Sequence, residues 1–167
     1  MPTALPKKRQ PDDIVNRVKR GLCGYISYLA ACEMNSAFSE YVLYEPILRI
    51  LLSRGFDARC EHECPGIRQP TTGDKKRLDF VAARGTVHLA IEVKWAKKSY
   101  LNVAADVDKL VAVSATYKFV KPLLVVFGRK SHLQSLTIKQ TNLREIGTAR
   151  YADLGQTRYG CRVYTLK

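Results

Sequence analysis

Residues 76–95 read KRLDFVAARGTVHLAIEVKW, and this stretch decides the fold. Apolar residues alternate with other residues on both sides of the Gly-Thr pair at 85–86, which predicts strands at 76–83 and 86–95. A two-residue loop that begins with glycine favours a tight type II′ turn. We therefore predict an antiparallel β-hairpin.

Charged residues interrupt the second strand of this hairpin. Glu92 and Lys94 lie on the face opposite to the apolar residues Val87, Leu89, Ile91 and Val93. On an exposed face they would be ordinary solvated charges. The hairpin register, however, sets Asp79 opposite Glu92, with Cβ atoms about 5 Å apart, and Arg77 opposite Lys94. Two acids so close need a cation between them, and a hard divalent ion with oxygen ligands meets that need.

Helical spacing of apolar residues appears on both sides of the hairpin. An N-terminal amphipathic helix is predicted from Asp12 to about residue 33, because its apolar positions recur every three or four residues. A second helix is predicted from Ser39, a plausible N-cap, to Gly55, with a local bend at Pro46. Residues 102–115 return to the same spacing and predict a third helix.

Two further strands complete the predicted core. Residues 56–64 alternate, whereas 123–127 read LLVVF, a continuous apolar run typical of a strand covered on both faces. The helix at 102–115 lies between the strand at 86–95 and this run, which indicates a parallel crossover. The fold is therefore predicted to be α/β, with a mixed central sheet flanked by helices. Residues 133–146 are expected to form a short helix, and 160–166 a final edge strand.

Length and charge point to one basic domain. The 167 residues carry a formal net charge of +13, which favours attraction to a polyanion such as nucleic acid. Residues 1–11 are polar and basic and are expected to form a flexible arm, with a single domain at 12–167. The apolar stretch at 22–32 is shorter than the about 20 residues of a membrane span, so no membrane partner is expected.

Five cysteines at irregular spacings fit reduced thiols and a cytoplasmic protein better than a set of disulfides. Cys60 and Cys64 bracket Cys-Glu-His-Glu-Cys, which would suit zinc with His62 only if a second pair of ligands followed. No such pair follows, and the same alternation is typical of a strand.

The hairpin and its surroundings resemble the PD-(D/E)xK nucleases of the restriction-endonuclease-like fold. The resemblance rests on RLDFV at 77–81, the short hairpin and IEVK at 91–94, and covers about residues 38–128. Leu78 replaces the proline of the motif name, which costs no ligand. Among these nucleases the chain is most similar to the archaeal Holliday-junction resolvases.

This resemblance implies a Mg²⁺-dependent endonuclease that hydrolyses phosphodiester bonds in DNA, with cleavage that is either structure-dependent or non-specific. Asp79, Glu92 and the main-chain carbonyl of Val93 would hold Mg²⁺, for which Mn²⁺ can substitute. Lys94 would position the attacking water or neutralise developing charge. A glutamate from the preceding helix completes many such sites. Glu40 shares the apolar stripe of that helix and is favoured for the role, while Glu45 stays an alternative.

Partners follow from the same residues. Lys75, Lys76, Arg77, Lys97 and Lys98 flank the expected site and would contact phosphates. A homodimer is compatible with the sequence, because one active site cuts one strand and 22–29 offers an apolar face, but the oligomeric state stays open. The rival hypotheses are a nucleic-acid-binding module without chemistry and an interaction or immunity protein. The sequence does not separate DNA from RNA or define the site that is chosen.

Overall fold

The computed structural model describes residues 12–34, 39–154 and 157–167; the arm predicted at 1–11 lies outside them. The helices in these ranges are α1 Asp12–Ala31, α2 Tyr44–Ser53, α3 Ala104–Thr116 and α4 Lys130–Gln134. The strands are β1 Asp57–Glu63, β2 Arg77–Arg84, β3 Val87–Ala96, β4 Tyr100–Leu101, β5 Val120–Arg129, β6 Thr137–Ile138, β7 Leu143–Glu145, β8 Arg150–Leu154 and β9 Thr157–Leu166. None of the described helices is both long enough and apolar enough to cross a membrane.

The central sheet has the order β1-β2-β3-β5-β9-β7, and β8 also pairs with β9. β3 and β5 run parallel, with α3 in the connection between them, while the other pairs of this sheet are antiparallel. The predicted α/β fold, mixed sheet and N-terminal helix are thus confirmed. The strands β4 and β6 form a separate two-stranded sheet.

The β2–β3 hairpin has the predicted turn position and register. Gly85 adopts φ 58°, the positive φ that such a tight turn needs at its first position. Pairing runs from Arg84 opposite Val87 to Phe80 opposite Ile91. The predicted pairs further along, Asp79–Glu92 and Arg77–Lys94, fall past the end of this ladder. The acids therefore lie where main-chain pairing between the two strands has stopped.

The sheet separates two apolar cores. One core packs α1 and α2 against alternate residues of β3 and β5, and includes Leu22, Ile47, Phe80, Ile91 and Val125. The other packs α3 and α4 against the opposite face, and includes Ala90, Val103, Leu110, Leu124 and Leu133. β3 supplies side chains to both cores, because Leu89 and Ile91 face the first core and Ala90 faces the second.

Several predicted details are wrong. The short helix expected at 133–146 is instead α4, which ends at Gln134, followed by β6 and β7. β9 is not an edge strand, because it lies between β5 and β7. Ser39 does not cap the second helix: a 3-10 turn at Tyr41–Leu43 comes first, with Glu40 in the N-cap position and no side-chain cap. Pro46 lies in the first turn of α2, where its missing N–H leaves no hydrogen bond unmade.

Candidate active site

Three segments meet beyond the end of the β2–β3 ladder. Asp79 comes from β2, Glu92 and Lys94 from β3, and Glu40 from the residue that begins the 3-10 turn. The predicted residues Asp79, Glu92, Lys94 and Glu40 are thus brought together around one end of the hairpin, while Glu45 is not among them.

Asp79 is fixed by hydrogen bonds to both of its carboxylate oxygens. The hydroxyl of Tyr44 donates to Oδ1, and the main-chain N–H of Val93 donates to Oδ2 at 2.6 Å. Burial raises the pKa of Asp79, although these two hydrogen bonds and the charges of Lys109 and Lys94 oppose the shift. The carboxylate of Asp79 therefore accepts the hydrogen bond from the Val93 N–H that a main-chain carbonyl would accept in a continued β ladder.

Glu92 is the most deeply buried acid of the site, with only 1% of its surface exposed. Its Oε2 accepts a hydrogen bond from Lys109 Nζ at 2.6 Å, whereas its Oε1 is buried without a partner in the described part of the chain. Burial, and then the charge of Asp79, raise the pKa of Glu92 to about 9. A buried oxygen without a partner is costly, which marks Glu92 as a place where a ligand belongs.

Lys94 lies between two other carboxylates. Its Nζ is 3.4 Å from Asp106 Oδ1 and 3.9 Å from Glu40 Oε2. Burial acts to lower the pKa of Lys94, but Asp106, Glu40 and Asp79 together raise it above its ordinary value. The ammonium is therefore held in its charged form, and it is partly exposed, so a substrate can reach it.

Two residues of α3 complete the network, and the sequence reasoning missed them. Lys109 Nζ bonds Glu92, lies 3.7 Å from Asp106 and donates to the carbonyl of Arg77 at 2.8 Å. Asp106 is 6% exposed. A signal for Asp106 was present, because it falls three residues after Val103 and four before Leu110, on the apolar stripe of the helix.

The two helix acids are in different surroundings. Glu40 Oε1 accepts the main-chain N–H of Trp95 at 3.0 Å, which holds its carboxylate beside Lys94. Glu45 forms an ion pair with Arg49 one turn away on α2, and half of its side chain is exposed. Of the two acids, only Glu40 faces the other predicted site residues.

Glu61 of β1 lies at the rim of the site in an unusual backbone conformation. Its φ is 52°, in the left-handed region that non-glycine residues rarely adopt. The register of β1 with β2 places it between the pairs Cys60–Phe80 and His62–Leu78. Its Oε1 lies 3.3 Å from the Tyr44 hydroxyl, so the hydroxyl that donates to Asp79 also contacts Glu61.

The basic residues predicted to contact phosphate are all exposed, namely Lys75, Lys76, Arg77, Lys97 and Lys98. Lys75 lies 3.4 Å from Glu63, and Lys97 lies over the ring of Trp95 at 5.4 Å. They border both strands that carry the acids.

The donor set suits a hard cation better than zinc. Cys64 is buried, with its thiol against the carbonyl of Lys109, while Cys60 is exposed. In the described ranges, no three His, Cys, Asp or Glu side chains are grouped so that they could together bind a metal ion. Asp79 and Glu92 nevertheless offer two carboxylates, and within 12–34, 39–154 and 157–167 one buried oxygen of Glu92 lacks a partner. Mg²⁺, which retains several waters and needs one or two carboxylates, fits this arrangement.

Comparison with known protein families finds no family model that matches the chain, and comparison with curated proteins finds no match either.

Proposed function

We propose that this protein is a metal-dependent endonuclease that hydrolyses phosphodiester bonds in DNA and has a restriction-endonuclease-like core. The observation that carries the proposal is Glu92: a carboxylate in the middle of a buried strand, next to Asp79 and Lys94, with one oxygen that has no partner among the described residues. A buried acid with a raised pKa beside a second acid and a lysine is costly to keep for structure alone.

Asp79 and Glu92, with the carbonyl of Val93, are the residues that would hold Mg²⁺, which lowers the pKa of a bound water and stabilises the charge of phosphoryl-transfer transition states. Tyr44 and the Val93 amide fix the Asp79 carboxylate before substrate arrives. Such preorganisation means that little reorganisation is needed in the transition state.

Lys94 has the position and charge to stabilise the reacting phosphate. Its ammonium is held charged by Asp106 and Glu40, and part of it faces solvent. Glu40 is oriented in turn by the Trp95 amide. A phosphate oxygen that displaces one of these carboxylates would find a donor already aimed at it.

The charge of the whole chain supports a polyanionic substrate. The net charge of +13 and the exposed lysines beside the hairpin favour phosphate contacts that release counterions. Binding should therefore weaken steeply as salt rises.

A second candidate is a nucleic-acid-binding module without cleavage. Lys109 favours it, because its ammonium already donates to Oε2 of Glu92 and so occupies an oxygen that a metal would otherwise contact. The two candidates differ in one respect only, namely whether divalent metal produces turnover.

Cleavage of a panel of labelled substrates tests the proposal. Single strands, duplexes, flaps, four-way junctions and RNA are incubated with Mg²⁺, Mn²⁺, Ca²⁺ or chelator. We expect products with Mg²⁺ and Mn²⁺ only, because Mg²⁺ demands a tighter octahedral geometry than Ca²⁺. Lys94→Ala should slow cleavage by about 100-fold or more while binding in Ca²⁺ is retained.

A matched control is Lys139→Ala, which removes a lysine that lies over Tyr100 outside the site. Equal activity of Lys94→Ala and Lys139→Ala would indicate a contaminating nuclease and refute the assignment. Binding with steep salt dependence but no cleavage under any metal would leave the second candidate.

The choice between the helix acids has its own test. Glu40→Gln should reduce cleavage about 10-fold or more, because it removes a charge that holds Lys94, whereas Glu45→Gln should be active. The pair is matched in chemistry and differs in position. An inactive Glu45→Gln beside a fully active Glu40→Gln would overturn the placement.

A further inference from the structure

An open cavity of about 570 Å³ lies beside the candidate site on the α3 side of the sheet. β1, β2 and β3 form its floor, and the end of α3 with the residues that follow forms its wall. Its lining includes Arg59, Val81, Ala83, His88, Tyr117 and Phe119. The volume is in the range of pockets that hold small organic groups.

The cavity continues the surface that carries the acids. Val81, which lines it, is two residues beyond Asp79 on β2, and Ala90, which also lines it, is two residues before Glu92 on β3. Alternate residues of a regular strand lie on one face, about 7 Å apart, so Ala90 and Glu92 share the α3 face of β3. A polymer bound at the acids therefore has its neighbouring unit at the mouth of the cavity.

The walls combine aromatic and basic side chains. Phe119 is 81% exposed and Tyr117 is 55% exposed, although both are large apolar residues. Arg59 and Lys118 add positive charge, while Asp57 in the same lining lies 3.8 Å from Arg59. Exposed aromatic rings next to cations are the means by which proteins stack nucleobases without reading their sequence.

We propose that this cavity binds an unpaired nucleobase of the substrate strand, adjacent to the scissile phosphate; this rests on the nuclease function proposed above. A base inside a duplex is stacked on both sides and cannot enter a pocket, so the base must be unpaired or turned out of the helix. The cavity thereby selects strands with single-stranded or distorted segments over regular duplex.

The cavity's connection to the acids favours a nucleobase over an apolar peptide. A site for a peptide has no reason to lie next to the two carboxylates proposed to bind the metal, whereas the nucleotide next to the scissile phosphate would lie there. The floor, formed by Val81, Ala83 and Ala90, is made of small or short side chains, which leaves room for a flat ring against the wall.

Fluorescence of 2-aminopurine tests this inference. The base analogue is placed at the unpaired position of an otherwise duplex oligonucleotide, and binding is followed in Ca²⁺ to prevent cleavage. Stacking in the cavity should quench the fluorescence. Phe119→Ala should abolish the quenching and weaken binding of this oligonucleotide at least about fivefold.

Two further variants make the outcome decisive. Ala83→Trp fills the floor and should also abolish the quenching, whereas Tyr28→Ala, which removes an exposed tyrosine of α1, should leave it intact. If Phe119→Ala and Ala83→Trp quench as the unmodified chain does, the cavity does not hold the base, and the inference is overturned.

Failure of this inference is distinguishable from failure of the proposed function. A chain that cleaves nucleic acid with Mg²⁺ but shows no difference between Phe119→Ala and Tyr28→Ala is a nuclease without a base pocket. A chain that neither binds nor cleaves any substrate fails the proposed function, and with it the inference. Quenching that disappears equally in Tyr28→Ala would point to stacking elsewhere and would also overturn the inference.

Discussion

Buried lysines have different partners on the two faces of the central sheet. On the α1 face, Lys19 is fully buried, and its ammonium donates to the main-chain carbonyls of Ile146 and Thr148, the latter at 2.9 Å. On the α3 face, Lys94 and Lys109 pair with side-chain carboxylates instead. Burial lowers the pKa of Lys19, whereas the acids around Lys94 raise the pKa of that lysine.

The difference separates a structural charge from an exchangeable one. A main-chain carbonyl cannot move without moving its segment, so Lys19 ties α1 to the residues before β8. A carboxylate can exchange one cation for another, so the α3 network can accept a metal or release a lysine to a phosphate. Substitutions on the two faces should therefore affect different properties.

The largest effect is expected for Glu92→Gln. The amide keeps the shape but removes the charge, so cleavage should fall by about 1,000-fold or more while the free energy of unfolding stays the same or rises. Single-turnover kinetics measures the cleavage rate, and thermal denaturation measures the stability. A variant that unfolds more easily and cuts normally would show that Glu92 is structural.

Lys109→Met should affect stability through the acids. Without the ammonium, Glu92 loses its hydrogen-bond donor and Asp106 loses one of its two neighbouring cations. We expect a loss of about 2 kcal/mol in chelator, below the about 3–5 kcal/mol of a fully buried pair because Lys109 is partly exposed. Added Mg²⁺ should raise the melting temperature of the variant more than that of the unmodified chain. An equal rise in both would mean that Lys109 and the metal do not share Glu92.

The pH dependence in chelator should follow Glu92. Its pKa is raised from about 4.5 to about 9, so between these values the folded chain holds a proton that the unfolded chain has released. Stability should therefore fall as pH rises through this window. Denaturant unfolding at several pH values measures the slope, and Glu92→Gln should flatten it.

Lys19→Met is expected to have the smallest effect on chemistry. It leaves two carbonyls without their donor, so the free energy of unfolding should fall by about 1 kcal/mol or more. The cleavage rate per folded molecule should be unchanged. Measuring this rate at low temperature, where the variant stays folded, checks the expectation. Lost cleavage with normal stability would mean that the two faces are coupled.

Local pattern was enough to predict the hairpin, the helices at 12–33 and 102–115, and the buried strand at 123–127. It failed where pairing is non-local: the alternation of 160–166 is the same for an edge and an internal strand, and only the partners β5 and β7 make β9 internal. Residues 133–146 were mistaken for one helix because α4 and two short strands carry too few apolar positions to show a period.

Within the site, the motif predicted Asp79, Glu92 and Lys94 as neighbours, and the helix face placed Glu40 toward them. Their catalytic roles stay predictions. Asp106 and Lys109 were not found, since neither belongs to the motif and the face that α3 turns to the sheet depends on the parallel crossover that brings it to Glu92. The cavity beside the site has no sequence signature, because it arises where α3 ends short of β1 and β2.

The amides that hold Asp79 and Glu40 belong to alternate residues of one strand, Val93 and Trp95. A main-chain donor survives any side-chain replacement except proline. Positions 93 and 95 can therefore change during divergence without releasing either acid, within the limits set by packing. Saturation mutagenesis of β3 should accordingly show mutational tolerance that alternates along the strand, with Glu92 and Lys94 fixed and their neighbours open to other apolar residues.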